Sequence, residues 1–197
     1  MKNVILVRIA LCGPSDVEDE INIAKRVIRS LSDRETDSRG IMLQPLDWRD
    51  NSSPDLAQRP QAVLNRQVVD KADIVVALFW NRFGSSTGLY DSGTEEELKR
   101  AHTLTKRVMV YFSKRFKTGS VDTVQLDYLD KFKCKVRFLG LVEEFESHDD
   151  FRDKFSRQLM QAVDELLADG KSVESVSKKT EQRRTAPKTR IEQSQNG

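Results

Sequence analysis

Three consecutive carboxylates, Glu95, Glu96 and Glu97, follow the loop NRFGSSTGLYDSG, which itself follows the apolar run DIVVALFW. A carboxylate in the first turn after such a strand can face a ligand crevice and support an oxocarbenium-like centre at a sugar C1 while a base departs. Cleavage of an N-glycosidic bond needs little more than that and a pocket that holds the ribose and excludes water. The same residues also have a structural reading. Thr94-Glu95-Glu96-Glu97 is a T-x-x-E capping box, and the helix dipole favours acidic residues in a first turn. The two readings differ in where Glu97 points: into a crevice, or back onto the Thr94 amide.

Three loops that leave strand ends on one side supply the rest of a candidate site: Cys12 to Asp16, Trp48 to Pro60 and Asn81 to Gly93. They carry Gly13, Ser15, Asp16, Trp48, Trp80, Arg82, Phe83, Tyr90, Asp91 and Ser92 as candidate substrate-binding residues. Indole faces suit a nucleobase or a nicotinamide, Arg82 suits a phosphate, and amides at the start of the Ser15 helix suit an anion. The set fits a dinucleotide crevice. Equally, each tryptophan can end a strand by packing over the core rim, and Arg82 can form an ordinary surface ion pair. Neither GxGxxG nor GxxxxGK[ST] occurs, so the redox dinucleotide fold and the P-loop lack their defining loops.

The elements that must position these residues alternate. Val4 to Leu11, Ile41 to Trp48, Asp73 to Trp80 and Arg107 to Ser113 read as strands, with Pro45 placing the second at an edge. Lys135 to Glu143 is predicted as a fifth strand. Helices are predicted from a Ser15-x-x-Glu18 capping box through Leu31, over 61–71 with Pro60 at its start, over 94–104, over 123–133, and over 147–169 with Ser147 as its cap. Asp33 to Gly40 is polar and breaks the first helical pattern. Strand and helix in alternation, with crossovers too long for hairpins, predict a parallel α/β sheet.

Composition narrows the class of protein. Among 197 residues, 32% are charged and 38% apolar, with a net charge of +2, which describes a globular domain with a very polar surface. No apolar run approaches the roughly 20 residues that cross a bilayer, and the N-terminal run interrupted by Arg8 is a poor signal peptide, so a cytoplasmic protein is expected, with no membrane partner. Cys12 and Cys134 form no CxxC pair, and His102 and His148 stand far apart, so neither a metal site nor a histidine dyad is expected. From Lys171 to Gly197 the chain is basic and nearly devoid of large apolar residues, which predicts a disordered tail beyond a domain of residues 1–170. A mildly acidic body with a basic tail is not the footprint of a specific nucleic-acid binder.

The motif CGPSDVEDE resembles the SxPxDVxxE pattern of a bacterial TIR-like family of unassigned function, and ADIVVALFWNRFGSSTGLYDSGTEEELKRA resembles that family's second signature. The resemblance implies a flavodoxin-like, TIR-type fold with a five-stranded parallel sheet in the order 2-1-3-4-5. Enzymatic members of the TIR superfamily cleave NAD with a glutamate in the helix after the third strand, a position that Glu97 matches. Asp91-Ser92-Gly93-Thr94, Glu97 and Ala101 also resemble the DxGTxxExxxA pattern of nucleoside deoxyribosyltransferases, whose glutamate attacks C1. The implied function is NAD glycohydrolase activity in bacterial defence or signalling. NAD would be a substrate with no further cofactor, and self-association or another signalling protein would be the partner. The alternatives are a non-enzymatic interaction module or a deoxyribosyltransferase.

Overall fold

The computed structural model describes residues 4–53, 59–116 and 122–170. The expected tail, the middle of the Trp48 to Pro60 loop and part of the loop after the fourth strand lie outside the described residues. Five parallel strands, β1 (Ile5–Cys12), β2 (Ile41–Leu46), β3 (Ile74–Phe79), β4 (Arg107–Ser113) and β5 (Glu143–Phe145), form one sheet in the order β2-β1-β3-β4-β5. This is the doubly wound, flavodoxin-like order, whose switch point lies between β1 and β3. β2 is an edge strand, so Pro45 costs no ladder bond to an outer neighbour.

Every residue of β3 is buried, because helices cover both of its faces. Alternation along the strands sorts side chains into two cores. Val7, Ile9, Leu11, Val76, Leu78 and Tyr111 pack with α1 (Glu18–Arg39) and α6 (His148–Ala168). Cys12, Val75, Ala77, Phe79 and Phe112 pack on the other face, with residues of α4 (Gly93–Thr103) and α5 (Thr123–Leu139). Between β2 and β3 come a short helix α2 (Trp48–Asn51) and then α3 (Pro60–Leu64), which runs into a π-helical turn, Asn65–Val69. Ser147 caps α6 as expected, accepting the Asp150 amide at 3.1 Å.

Three sequence expectations are corrected. The Ser15 to Glu18 capping box does not form: Ser15–Val17 is a 3-10 turn with no side-chain cap, and the Ser15 hydroxyl instead accepts from Arg82 Nη1 at 3.2 Å. α1 continues through the polar 33–39 stretch to Gly40, whose positive φ of 69° and amide bonds to the Glu35 and Thr36 carbonyls close it. Residues 135–139 extend α5 rather than forming a strand, because Asp122 caps that helix and Leu129, Phe132 and Val136 keep its apolar spacing. Helix α5 ends at Gly140, and only Glu143–Phe145 pairs with β4. The apolar run is therefore divided, and it leaves Phe138 92%, Leu139 77% and Leu141 102% exposed.

Candidate functional site

The start of α4 is fixed by Ser92. Its buried hydroxyl accepts the Thr94 amide at 3.2 Å and donates to the Phe83 carbonyl at 2.5 Å, tying the helix cap to the loop that leaves β3. Ser92, not Thr94, is the cap, so the expected T-x-x-E box is absent and Glu97 is not folded back on Thr94. Ser92→Ala removes both bonds from a buried site and is expected to lower stability by about 1–2 kcal/mol, which a urea midpoint shift would report.

The three glutamates then separate in role. Glu95 pairs with Lys99 at 3.0 Å and Lys135 at 3.5 Å. Glu96 accepts a bidentate pair from Arg59 at 2.5 and 2.9 Å, the Asn65 amide at 3.0 Å and the Thr87 hydroxyl at 2.7 Å. These donors outweigh its burial and hold its pKa below the ordinary value. Glu96 is thereby spent on tying the residue before α3 to the loop after β3.

Glu97 has different surroundings. It is 7% exposed, and its Oε1 accepts from Gln61 Nε2 at 3.2 Å, while the Cys12 thiol at the end of β1 also hydrogen-bonds to it. Both of these partners are neutral. Burial is the main cause that raises its pKa to about 7, helped by the negative charges of Asp47 and Glu96 and opposed by the two hydrogen bonds. Burial also pushes the Cys12 thiol well up, so it stays protonated and donates. Asp47, fully buried at the end of β2, is held by Lys25 at 2.6 Å and Arg49 at 3.1 Å. A buried carboxyl group that changes charge near neutrality is the kind of group that acid–base or ion-stabilising chemistry uses.

The other candidate residues do not all converge on Glu97. Trp80 packs against the α1 and α6 core, across the sheet from Glu97, with the Arg115 guanidinium 4.3 Å from its ring centre and its indole N–H on the Arg115 carbonyl. On that same side, Asp16 Oδ2 accepts the Asn81 and Arg82 amides at 2.8 and 3.0 Å, and Ser15 meets Arg82. Phe83 is 3% exposed and lies in an aromatic cluster with Phe79, Tyr128 and Phe132, so its ring is occupied by the core. Gly13 leaves no cradle: a Cβ there would lie 2.5 Å from the Val17 side chain and 2.8 Å from the Leu78 carbonyl oxygen. Trp48 is 40% exposed beneath Arg49, Tyr90 carries Lys99 over its ring at 4.3 Å, and Asp91 is exposed.

Sequence reasoning missed Cys12, Asp47 and Gln61 around Glu97, and Glu20 and Arg115 beside Trp80. Glu20 is fully buried and pairs with Arg115 at 2.5 Å and with His148 at 3.3 Å. The available signals were indirect: Cys12 and Asp47 end strands that point at the same edge, whereas nothing local marks Gln61.

The family described as "Domain of unknown function (DUF4062)" matches residues 15–160. The chain belongs to that family. The matched range of the DUF4062 domain contains all of Asp73 to Ala101 and the CGPSDVEDE motif from Ser15 onward. Among solved structures it is similar to the TIR domain heterodimer of RPS4 and RRS1, at 15% identity and TM-score 0.45, over 80% of this chain and 97% of that one. It is similar to the flavodiiron protein from Giardia intestinalis at 12% identity and TM-score 0.42, over 83% of this chain and 36% of that one. Flavodoxin 1 from Bacillus cereus is similar at 13% identity and TM-score 0.36, over 81% and 97%. Likenesses at this level assign no activity. No curated protein matches the chain. No helix among the described residues of this DUF4062 domain is long and apolar enough to cross a membrane.

Proposed function

We propose that this domain hydrolyses the N-glycosidic bond between nicotinamide and ribose in NAD, with Glu97 as the carboxylate that acts at C1. The observation that carries the reading is the setting of Glu97: a buried carboxyl held by two neutral donors, with a pKa raised to about 7. Its position after the third strand is the one that the sequence resemblance marks. In the reaction, the C1–N bond breaks and its electron pair leaves with nicotinamide, which departs neutral. The ionised Glu97 stabilises the positive charge that develops on the ribosyl ring, and water adds at C1 and gives up a proton. A charge that stabilises from a buried position acts through a low dielectric, where it counts for more than in water.

Across the sheet from Glu97, Asp16 Oδ1, Glu20 Oε2 and Asn81 Oδ1 are buried acceptors without a hydrogen-bond partner among the described residues. The test is nicotinamide release from NAD as a function of pH. Activity needs the ionised carboxylate, so kcat/KM is expected to rise tenfold per pH unit below about 7 and level off above it. A profile that is flat from pH 5 to pH 9 would remove Glu97 from the chemistry.

A second reading, as a self-associating or partner-binding module, draws on the exposed Phe138, Leu139 and Leu141 at the end of α5. Concentrated, assembled protein that releases no nicotinamide would favour it.

A further inference from the structure

We propose that Gln61 is a positioning residue that holds the Glu97 carboxyl group and fixes the orientation it presents to substrate. The inference rests on the glycohydrolase reading for its catalytic consequence, but its geometry stands alone. Gln61 reaches Glu97 from α3, its Nε2 donating to Oε1 at 3.2 Å across 36 residues of sequence. The Gln61 amide also lies 3.5 Å from Asn65 Oδ1, and its oxygen lies 2.8 Å from where a Cβ at residue 93 would sit. Asn65 in turn holds Glu96, which is locked to Arg59, so the orientation of Gln61 is coupled to the ion pair that closes the loop.

The charged and titratable groups that face Glu97 come from every element around it. Cys12 belongs to β1, Asp47 follows β2 with its charge opposed by Lys25 and Arg49, and Glu96 belongs to α4 with its charge opposed by Arg59. Burial, Asp47 and Glu96 oppose the ionised form of Glu97, and hydrogen bonding from Cys12 and Gln61 favours it. Removing the Gln61 donor should thus raise the pH at which Glu97 ionises, by about one unit, a tenfold change in proton affinity, since a hydrogen bond to a charged group is worth roughly that much.

The experiment is a carboxyl carbon-13 NMR titration of the full chain with labelled glutamate, with the Glu97 resonance assigned from its loss in Glu97→Gln. Gln61→Met keeps volume and removes the donor, and is expected to shift the midpoint upward by about one unit. Thermal unfolding of each variant confirms that it is folded, and nicotinamide release is read on the same samples. A midpoint that does not move in Gln61→Met overturns the positioning role. A shift in the midpoint with no nicotinamide release from any sample upholds the positioning role and overturns the glycohydrolase reading instead. Release from the wild type with an unmoved midpoint does the reverse.

Discussion

Glu97→Gln is expected to abolish nicotinamide release and, at the same time, to make the protein more stable at pH 8. The loss of activity should be about a thousandfold or more, the scale on which removing a group that stabilises transition-state charge is felt. The gain in stability follows from the sign of the pKa shift. Glu97 ionises at about 7 in the folded chain against an ordinary value of 4.5. Its protonated form therefore stabilises the fold fully below pH 4.5. That contribution is lost as pH rises towards 7, because the unfolded chain releases its proton first. At pH 8 the ionised, buried carboxylate costs the fold up to about 3 kcal/mol. A glutamine carries no charge and escapes that cost, whereas at pH 4 the two proteins should be equally stable. Urea unfolding at both pH values measures the difference. A variant that is inert yet sturdier is what a residue kept for chemistry should give, and a variant that is inert because it is unfolded would refute the account.

Lys25→Met is expected to cost about 3–5 kcal/mol, the largest loss from any single change near the site. Lys25 is 8% exposed, and its ammonium lies 2.6 Å from Asp47 and 2.8 Å from Asp50, so it fastens α1 to the turn after β2. Without it, the fully buried Asp47 keeps Arg49 as its one cation among the described residues. The consequence reaches the site, because an Asp47 charge less well opposed pushes the Glu97 pKa higher. Adding Asp47→Asn to Lys25→Met removes the stranded charge and should recover part of the loss, since removing both partners costs less than removing one. If the double variant were no more stable than the single one, the buried ion pair would not be what holds this corner.

Much of this arrangement was legible in the sequence for physical reasons. β3 is apolar throughout because it is buried on both faces, and α6 announces itself through Ser147 and a phenylalanine and leucine stripe. Strand alternation also placed Trp80 opposite Phe79, so its separation from Glu97 could have been anticipated. What misled were short-range patterns that tertiary contacts override. Ser92 and Thr94 both lie where a cap could form, and the choice falls to Ser92 because its hydroxyl reaches the distant Phe83 carbonyl. The run from Lys135 to Val142 suits a helix or a strand equally, and Asp122, which lies before it, decides for the helix. The setting of Glu97 was the least legible feature. Gln61, 36 residues away, and Cys12 meet Glu97 only once the sheet has brought the strand ends together.

The most direct measurement is nicotinamide release from NAD at pH 8 by concentrated wild-type protein beside Glu97→Gln, with both shown to be folded. Steady release by the wild type that is lost in the variant is the predicted result. Equal rates from the two proteins, or no release from either, would contradict it.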